Sequence, residues 1–213
     1  MTMNVLICGA TGTLGRACAE AFLASGHRID TLGRDPQALP EGAAFDAVVW
    51  AQGANATGDV LRTEPGDWAD LWQANVGYII DSLRTLLDRG ALSSGARLVV
   101  ISSVWQLLGR SDKVAYATTK AALGGLVRAL CADLGPRGIA INAVLPGVVD
   151  SPMTRAHLSA QQIEDIAAAT PMGRLVTAQE VARTIVFLAS ADASGIDGQS
   201  IVIDLGWSVT RHV

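Results

Sequence analysis

The sequence has little charge and no excess of positive charge. Its 213 residues include 16 Lys and Arg against 20 Asp and Glu, which gives a net charge of −4 at pH 7. A nucleic-acid-binding domain usually carries a basic patch, so this balance argues against nucleic acid as a partner. There is also no block of like charges of the kind that forms an interaction tail.

Long apolar runs are absent as well. The longest segment without a charged side chain, residues 1–15, still carries Thr, Asn and several Gly. A membrane-spanning helix needs about 18 consecutive apolar residues, so no membrane span is predicted. Because 50% of the residues are hydrophobic and only 17% are charged, a disordered chain is excluded too. The length then predicts one soluble domain over residues 1–213, since domains usually have about 100–200 residues.

Cysteine and histidine are scarce. The three cysteines, Cys8, Cys18 and Cys131, are odd in number and lie in apolar stretches. This favours reduced core residues in a cytoplasmic protein over a disulfide. The three histidines are scattered, and no Cys or His pair has the spacing of metal ligands, so no metal site is predicted.

The sequence alternates short apolar runs with longer amphipathic stretches. The short runs are rich in β-branched residues and are bounded by Gly, Asp or Asn. Apolar strands separated by helices indicate a parallel sheet covered on both faces, which predicts a doubly wound, Rossmann-like α/β fold. Residues 151–174 form a long connection around a weak helix at 160–169, which is typical of a lid. The predicted strands are 5–8, 29–32, 47–50, 98–101, 140–144 and 201–203, and the predicted helices are 14–25, 67–89, 113–134 and 178–189.

A glycine-rich turn, Gly-Ala-Thr-Gly-Thr-Leu-Gly, occupies residues 9–15 between the first predicted strand and the first predicted helix. Glycines let a backbone turn tightly and approach a pyrophosphate, and the N-terminus of the helix that follows offers unpaired N–H groups. A plain turn could have the same spacing. The position directly after the first strand favours dinucleotide binding.

Tyr116 and Lys120 are four residues apart in a predicted helix and therefore share one of its faces. A tyrosine hydroxyl has a pKa of about 10, and a nearby ammonium lowers that pKa, so the pair suits general acid–base chemistry, although surface pairs have the same spacing. Ser103 favours the chemical interpretation because it follows a predicted strand, where ligands bind in open α/β sheets. Asn75 is a polar side chain inside a predicted helix, either functional or facing solvent.

From end to end, these motifs resemble those of the short-chain dehydrogenase/reductase family. Any one of them is a weak signal, whereas all of them in order are a strong one. The matching positions are the turn at 9–15, Ala51-Gln52-Gly53 where the family carries Asn-Ala-Gly, Asn75, Ser103 placed 13 residues before Tyr116, the YxxxK motif at 116–120, a segment at 146–153 similar to PGxxxTxM, and the C-terminal segments 197–199 and 204–206.

The resemblance implies an oxidoreductase that moves hydride between a nicotinamide cofactor and a small carbonyl or alcohol compound. Tyr116 would exchange the proton, Ser103 would hold the oxygen, Lys120 would tune Tyr116 and bind the ribose, and Asn75 would hold a relay water. A homodimer or homotetramer is expected from the same resemblance. The implied substrate pocket is Ser103, Trp105, Tyr116, Met153 and His157, and the expected cofactor contacts are Gly9, Thr11, Gly12, Thr13, Leu14, Gly15, Arg34, Ala51, Gly53, Tyr116, Lys120, Pro146, Gly147, Val148, Ser151 and Met153.

The cofactor region departs from the family pattern. Cys8 stands for the usual Thr and Thr13 for a Gly, although cofactor binding is expected to survive. NAD-specific enzymes place an acid after the second strand to bind the ribose hydroxyls. Here Gly33 is followed by Arg34, which suits a 2′-phosphate and favours NADP(H). Asp35 could neutralise Arg34, so NAD(H) stays open.

The second and third predicted strands are unusually close in sequence. Only residues 36–45 lie in a gap where the family places a helix, a strand and another helix. A crossover needs a dozen or more residues including its helix, so we predict six parallel strands without the extra edge strand and its helices. The adenine-side Asp of the family would be lost with them, which leaves the adenine more exposed.

Two other functions would keep the same residues. A cofactor-binding or sensing protein with little turnover would explain the altered turn and the missing elements. An isomerase or ene-reductase could use the same catalytic groups.

Overall fold

The computed structural model describes residues 2–40 and 42–210. The strands are β1 (Asn4–Cys8), β2 (Arg28–Leu32), β3 (Phe45–Trp50), β4 (Leu92–Ile101), β5 (Ala140–Pro146) and β6 (Ser200–Ile203). They pair in parallel throughout, in the order β2-β1-β3-β4-β5-β6. The prediction of a doubly wound α/β fold with six parallel strands is confirmed.

Helices cover both faces of the sheet. The α-helices are α1 (Thr13–Ala24), α2 (Pro65–Trp72), α3 (Tyr78–Asp88), α4 (Val114–Leu134), α5 (Pro152–His157), α6 (Ala160–Ala168) and α7 (Ala178–Ala189). Successive strand side chains point to opposite faces. Leu6 therefore packs in one core cluster with residues of α3 and α4, whereas Val5 and Ile7 pack in the other with residues of α1 and α7. Burial of a Leu or Ile contributes about 2 kcal/mol, so the apolar side chains on both sides of the inner strands stabilise the stack of layers.

The predicted helix at 67–89 is not a uniform α-helix. A π-helical turn, Gln73–Gly77, separates α2 from α3. Such turns insert an extra residue into a helix and often occur at functional sites. This one carries Asn75, which is 1% exposed and so does not face solvent.

The connection from β2 to β3 has no extra strand. It crosses β1 through residues 33–44, which contain one 3-10 helical turn, Pro36–Ala38, and in their described part no α-helix. The side chain of Arg89 holds it in place by donating to the carbonyl oxygens of Leu39 (2.9 Å) and Gln37 (3.1 Å). The chain thus crosses one strand without a helix, because α3 supplies the contacts.

Between β5 and α7 there are two short helices where one weak helix is predicted. Helix α6 lies at the predicted place and begins with reciprocal hydrogen bonds between Ser159 and Gln162. Helix α5 is not predicted, because Pro152 at its start reads as a loop signal in the sequence although proline is favoured in a first helical turn.

The three cysteines form no disulfide; Cys8 and Cys18 are buried and Cys131 is half-buried. Among the helices in the described ranges, none has the length and apolar character needed to span a bilayer.

Candidate active site

A cleft of about 1270 Å³ runs along the carboxyl ends of the strands from β2 to β5. This is where open α/β sheets bind ligands. Its volume exceeds the roughly 300–1,000 Å³ of an ordinary small-molecule pocket, so it has room for a ligand as long as a dinucleotide. Most of the predicted site residues line the cleft, whereas Gly15, Asn75 and Lys120 lie behind its wall.

The glycine-rich turn at 9–15 has a shape that only glycine allows. Gly9 has a φ of +79°, and a Cβ there would lie 2.6 Å from the Gln52 nitrogen. A Cβ on Gly15 would lie 2.2 Å from the Gly9 oxygen. Helix α1 starts after Gly12, which offers no side chain to cap its first N–H groups. The turn therefore fits a pyrophosphate, because its backbone is bare and no side chain caps the first N–H groups of α1.

Ser103 and Tyr116 face each other in the cleft. Ser103 begins the 3-10 turn Val104–Gln106, where its Oγ accepts from the Trp105 nitrogen at 3.3 Å. Burial raises the pKa of Tyr116, and the nearby Ser103 hydroxyl offsets only part of that rise. The tyrosine is consequently protonated at neutral pH, which is the state required of a proton donor.

Lys120 lies one helical turn beyond Tyr116 on α4. Its Nζ is 5.7 Å from the centroid of the Tyr116 ring and donates to the Ile101 carbonyl at 3.3 Å. The residue is 4% exposed, and burial lowers the pKa of its ammonium to about 8. The charge is therefore held at a cost to folding, which is typical of a functional group.

Replacing Lys120 with Met should stabilise the protein at pH 7, and this gain should shrink at high pH. The pKa of Lys120 is about 8 when folded, below the ordinary lysine value, so the burial cost is complete below pH 8 and disappears as the pH rises towards 10.5. At about 1.4 kcal/mol per pKa unit, burial of the charge costs about 3 kcal/mol. The expected gain in stability is smaller than this, because the variant also loses the hydrogen bond to the Ile101 carbonyl. Urea unfolding of both proteins at pH 7 and near pH 10 measures the difference.

Lys113→Met is the comparison for that experiment. The Lys113 ammonium donates three hydrogen bonds to residues 55–57, so the loss of these bonds should lower the stability at both pH values. A Lys120→Met protein that is destabilised by the same amount at both pH values would contradict the assignment of a buried, costly charge.

Asn75 joins the loop after β3 to helix α4. Its Oδ1 accepts from the Ala54 nitrogen at 2.8 Å, and its Nδ2 donates to the Ala54 oxygen at 3.1 Å and to the Thr119 Oγ1 at 2.9 Å. A Cβ on Gly53 would lie 3.0 Å from Asn75 Oδ1 and 3.7 Å from Lys120 Nζ. The asparagine thus sets the distance between this loop and the helix that carries Tyr116.

Lys113 is a residue of the site that the sequence does not reveal. Its Nζ donates to Asn55 Oδ1 (2.9 Å), the Ala56 oxygen (3.0 Å) and Thr57 Oγ1 (2.8 Å), and lies 5.8 Å from the centroid of the Tyr116 ring. Burial and the charge of Arg110 lower its pKa. No local signal distinguishes it, because a lysine just before a helix usually faces solvent.

Arg34 lines the other end of the cleft, beyond β2. Its guanidinium forms no ion pair with any described residue. The neighbouring Asp35 caps the 3-10 turn by accepting from the Gln37 nitrogen at 2.9 Å. Tyr78 closes this end: its hydroxyl donates to the Gly33 oxygen and also bonds the thiol of Cys8, the residue that stands for the usual Thr.

The segment 146–153 is shaped by the end of β6. Gly147 packs so tightly that a Cβ would lie 2.8 Å from the Cβ of Asp204. The Asp204 carboxylate accepts from the nitrogens of Gly206 (2.9 Å) and Ser208 (2.7 Å). That turn places Trp207 edge-on to Trp105, with ring centroids 5.8 Å apart.

Of the predicted pocket residues on α5, only Met153 can be located. It is 61% exposed and lines the cleft from helix α5. His157 is also on α5, but its side chain lies outside the described part of the chain.

Sequence comparison decides the family. A profile described as enoyl-(acyl carrier protein) reductase matches residues 36–208. Dehydrogenase/reductase SDR family member 6 of Aquarana catesbeiana is 34% identical over 158 residues, which cover 71% of this chain and 64% of the relative. The chain belongs to the short-chain dehydrogenase/reductase family. It is therefore an oxidoreductase of a family whose enzymes depend on NAD(P).

Other short-chain dehydrogenase/reductases match over nearly the whole chain. The 3-oxoacyl-[acyl-carrier-protein] reductase FabG of Salmonella typhimurium is 29% identical over 233 residues, covering 94% of this chain and 95% of that protein. The ligand-free aldohexose dehydrogenase of Thermoplasma acidophilum has a TM-score of 0.89 at 24% identity, covering 100% and 96% of the two chains. ElxO with NADP bound has a TM-score of 0.87 at 23% identity, covering 99% and 100%. The two structures support the fold.

Proposed function

We propose that the protein is an NADP(H)-dependent oxidoreductase that interconverts a small carbonyl compound and its alcohol. The observation that carries the proposal is the protonated, half-buried Tyr116, which faces Ser103 across the cleft and is backed by Lys120. Ser103 and Tyr116 line the same cleft as a glycine-rich turn that fits a pyrophosphate, and Lys120 lies directly behind them.

The proposed chemistry divides the work between cofactor and protein. When bound, the nicotinamide supplies or accepts the hydride. Ser103 donates to the carbonyl oxygen and holds it beside Tyr116, which delivers the proton. The ammonium of Lys120 stabilises the tyrosinate that remains. Because burial raises the pKa of Tyr116, its hydroxyl carries at neutral pH the proton that reduction of a carbonyl needs.

Asn75 enters the proposal as a positioning residue. Both of its amide hydrogens are donated within the protein, to Ala54 and Thr119. A relay water could therefore bond its side chain only through Oδ1, which already accepts from Ala54. Its contribution is to fix the loop after β3 against the helix that carries Tyr116 and Lys120.

The choice of NADP(H) rests on Arg34. This exposed cation lines the cleft at the end of β2, where the ribose of a dinucleotide lies in such folds. Asp35 forms no ion pair with Arg34, and its carboxylate instead caps the turn by accepting from the Gln37 nitrogen. Arginine recognises phosphate through several parallel hydrogen bonds, which suits a 2′-phosphate.

Replacing Arg34 with Ala should raise the Kd for NADPH by about 10- to 100-fold and leave the Kd for NADH nearly unchanged, since one charge-assisted phosphate contact is lost. Fluorescence titration of both cofactors measures this. Arg28→Ala is the matched control because Arg28 begins the same strand, at the end away from the cleft, and it should change neither Kd. Equal weakening of NADPH and NADH in Arg34→Ala would contradict 2′-phosphate recognition.

The substrate end of the cleft is largely apolar. A second cavity of about 550 Å³ adjoins it and shares Trp105 and Leu158 with it, while Trp207 and Ile166 add apolar surface. These walls favour a medium-sized apolar or cyclic carbonyl compound as the substrate.

The proposal is tested by following NADPH consumption with a panel of apolar ketones and aldehydes. Turnover of at least one of them is expected. Tight NADPH binding without consumption on any member would favour a sensing protein instead. Conversion of a substrate to an isomer, or reduction of a conjugated C=C bond alone, would favour the isomerase or ene-reductase alternative.

A further inference from the structure

Strand β2 forms an open edge of the sheet. It pairs with β1 on one side, and no described strand pairs with its other side. The Arg28 nitrogen donates to the Met3 oxygen, so this residue directs its main-chain groups towards β1. Because such groups alternate along a parallel strand, those of Ile29 and Thr31 point to the open side. An edge of this kind is a template for pairing with another strand.

Two opposite charges lie on one face of this edge strand. Arg28 and Asp30 are both exposed, and neither forms an ion pair with any described residue. They are two residues apart and therefore point to the same side of the sheet. A strand that brings an acid opposite Arg28 and a base opposite Asp30 would pair both charges.

A second copy of β2 meets this requirement in one register. In an antiparallel pair with its two-fold axis at Ile29, Arg28 lies opposite the partner's Asp30, and Asp30 lies opposite the partner's Arg28. Ile29 then faces its own copy, and its outward N–H and C=O groups can exchange two hydrogen bonds with that copy. The neighbouring registers that also align the outward main-chain groups place Arg28 opposite Arg28 or Asp30 opposite Asp30. The charges and the main-chain groups thus select the same register.

Helix α1 places an apolar side chain beside the same edge. Leu23 is 59% exposed and lies in the last turn of α1. Helix α7 packs against α1 from the side of β3 and β4. Because a helix turns by about 100° per residue and the β1-α1-β2 crossover is right-handed, Ala17 and Ala21 face α7, whereas Leu23 faces outward beside β2. The His27 nitrogen donates to the Phe22 oxygen at 3.1 Å, which keeps this turn next to the start of β2.

We propose that two copies of this chain associate through β2 into a symmetric dimer whose sheet continues from one copy into the other. Two ion pairs between Arg28 and Asp30 and two main-chain hydrogen bonds at Ile29 join the strands, and Leu23 of each copy packs against its counterpart near the axis. Each copy has one such edge, so the association closes at two chains. The contact uses no residue of the candidate active site.

The test reverses the charges one at a time. Arg28→Asp places two acids opposite each other in the dimer, and Asp30→Arg places two bases opposite each other. Because one short strand per copy gives a small interface, sedimentation equilibrium is measured from about 1 to 200 µM. Each single variant should raise the Kd of the dimer about 10- to 30-fold, and the double variant Arg28→Asp/Asp30→Arg should restore it.

Mixing the two single variants gives the sharpest result. The acids of one chain then face the bases of the other, so native mass spectrometry should find mixed dimers in large excess over same-variant dimers. Recovery in this mixture also shows that both variants are folded. Arg137→Asp is the matched control, because Arg137 is an exposed arginine in the turn before β5, far from β2, and it should leave the Kd unchanged.

A second pair of variants tests the contact of α1. Leu23→Lys brings two ammonium groups together near the axis and should raise the Kd of the dimer at least about tenfold. Leu61→Lys replaces a leucine that is 89% exposed and lies away from β2, so it should leave the Kd unchanged.

Three results would overturn the proposal. The first is an unmodified protein that stays monomeric up to the highest concentration. The second is a double variant that associates as weakly as the single ones. The third is a mixture in which mixed dimers make up only about the half expected from random pairing. None of these measurements involves NADPH or turnover, so their outcome does not bear on the proposed function.

Discussion

Replacing Tyr116 with Phe is expected to lower kcat about a thousandfold, within the range usual for loss of a general acid, and to leave the Kd for NADPH within about twofold. The ring keeps its packing beside Lys113 and Lys120, and only the hydroxyl that faces Ser103 is lost. Steady-state rates of NADPH consumption give kcat, and cofactor fluorescence gives the Kd.

Tyr78→Phe is the matched control, because Tyr78 is the other tyrosine of the chain. Its hydroxyl bonds Gly33 at the far end of the cleft, and no proton transfer passes through it. Its kcat should fall by less than about tenfold, while the free energy of unfolding falls by about 1 kcal/mol. Similar kcat values for the two variants would contradict the role of Tyr116.

Gly15→Ala should have the largest effect on the cofactor site. The added Cβ would lie 2.2 Å from the Gly9 oxygen and 2.8 Å from the Ala10 Cα, and neither is the end of a flexible side chain. Overpacking usually costs about 1–3 kcal/mol; because backbone must move here, we expect about 3 kcal/mol or more. The Kd for NADPH should rise more than about a hundredfold, since the turn that fits the pyrophosphate has to open.

Gly12→Ala separates the steric argument from a general effect of adding a methyl group to this turn. Its Cβ would lie 3.6 Å from the Gly9 oxygen, an ordinary van der Waals contact. The free energy of unfolding should change by less than about 1 kcal/mol. Thermal or urea unfolding of the two variants provides the comparison, and equal losses of stability would show that the clash at Gly15 is not the cause.

The fold was predictable because the inner strands are apolar on both sides and a helix follows most of the strands. That pattern is local, so six strands and their order of appearance can be read from the sequence. The ends of the elements could not be. β4 begins at Leu92, whereas the sequence predicts a start at residue 98. The early start could not be predicted, because the first residues of the strand, Leu-Ser-Ser-Gly-Ala, contain no apolar run.

The short gap between β2 and β3 showed that a strand was missing but not what replaces it. The path of residues 33–44 depends on Arg89, which is distant in sequence. The π-helical turn at Asn75 was hidden for a similar reason: the contacts of Asn75 are made with Ala54 and Thr119, not with its neighbours in the chain.

The candidate site also contains residues that local sequence spacing reveals and residues that only contacts distant in sequence define. Tyr116 and Lys120 share a helical face, and Ser103 follows a strand, so local spacing was enough to single them out. Lys113 was not found, because it is defined by three hydrogen bonds to residues 55–57. The pKa of Tyr116 was expected to be lowered by Lys120, but burial raises it, and burial is a property of the whole fold.

In the proposed reaction, hydride passes between a nicotinamide and a carbonyl carbon in this cleft, and Tyr116 supplies the proton. The most direct test uses NADPH deuterated at the transferable position of its nicotinamide, with mass spectrometry of the product from any ketone that is turned over. We expect deuterium on the carbinol carbon of the product, and about a thousandfold less labelled product from Tyr116→Phe in the same time. Product without deuterium, or the same labelled yield from Tyr116→Phe, would contradict the proposed reaction.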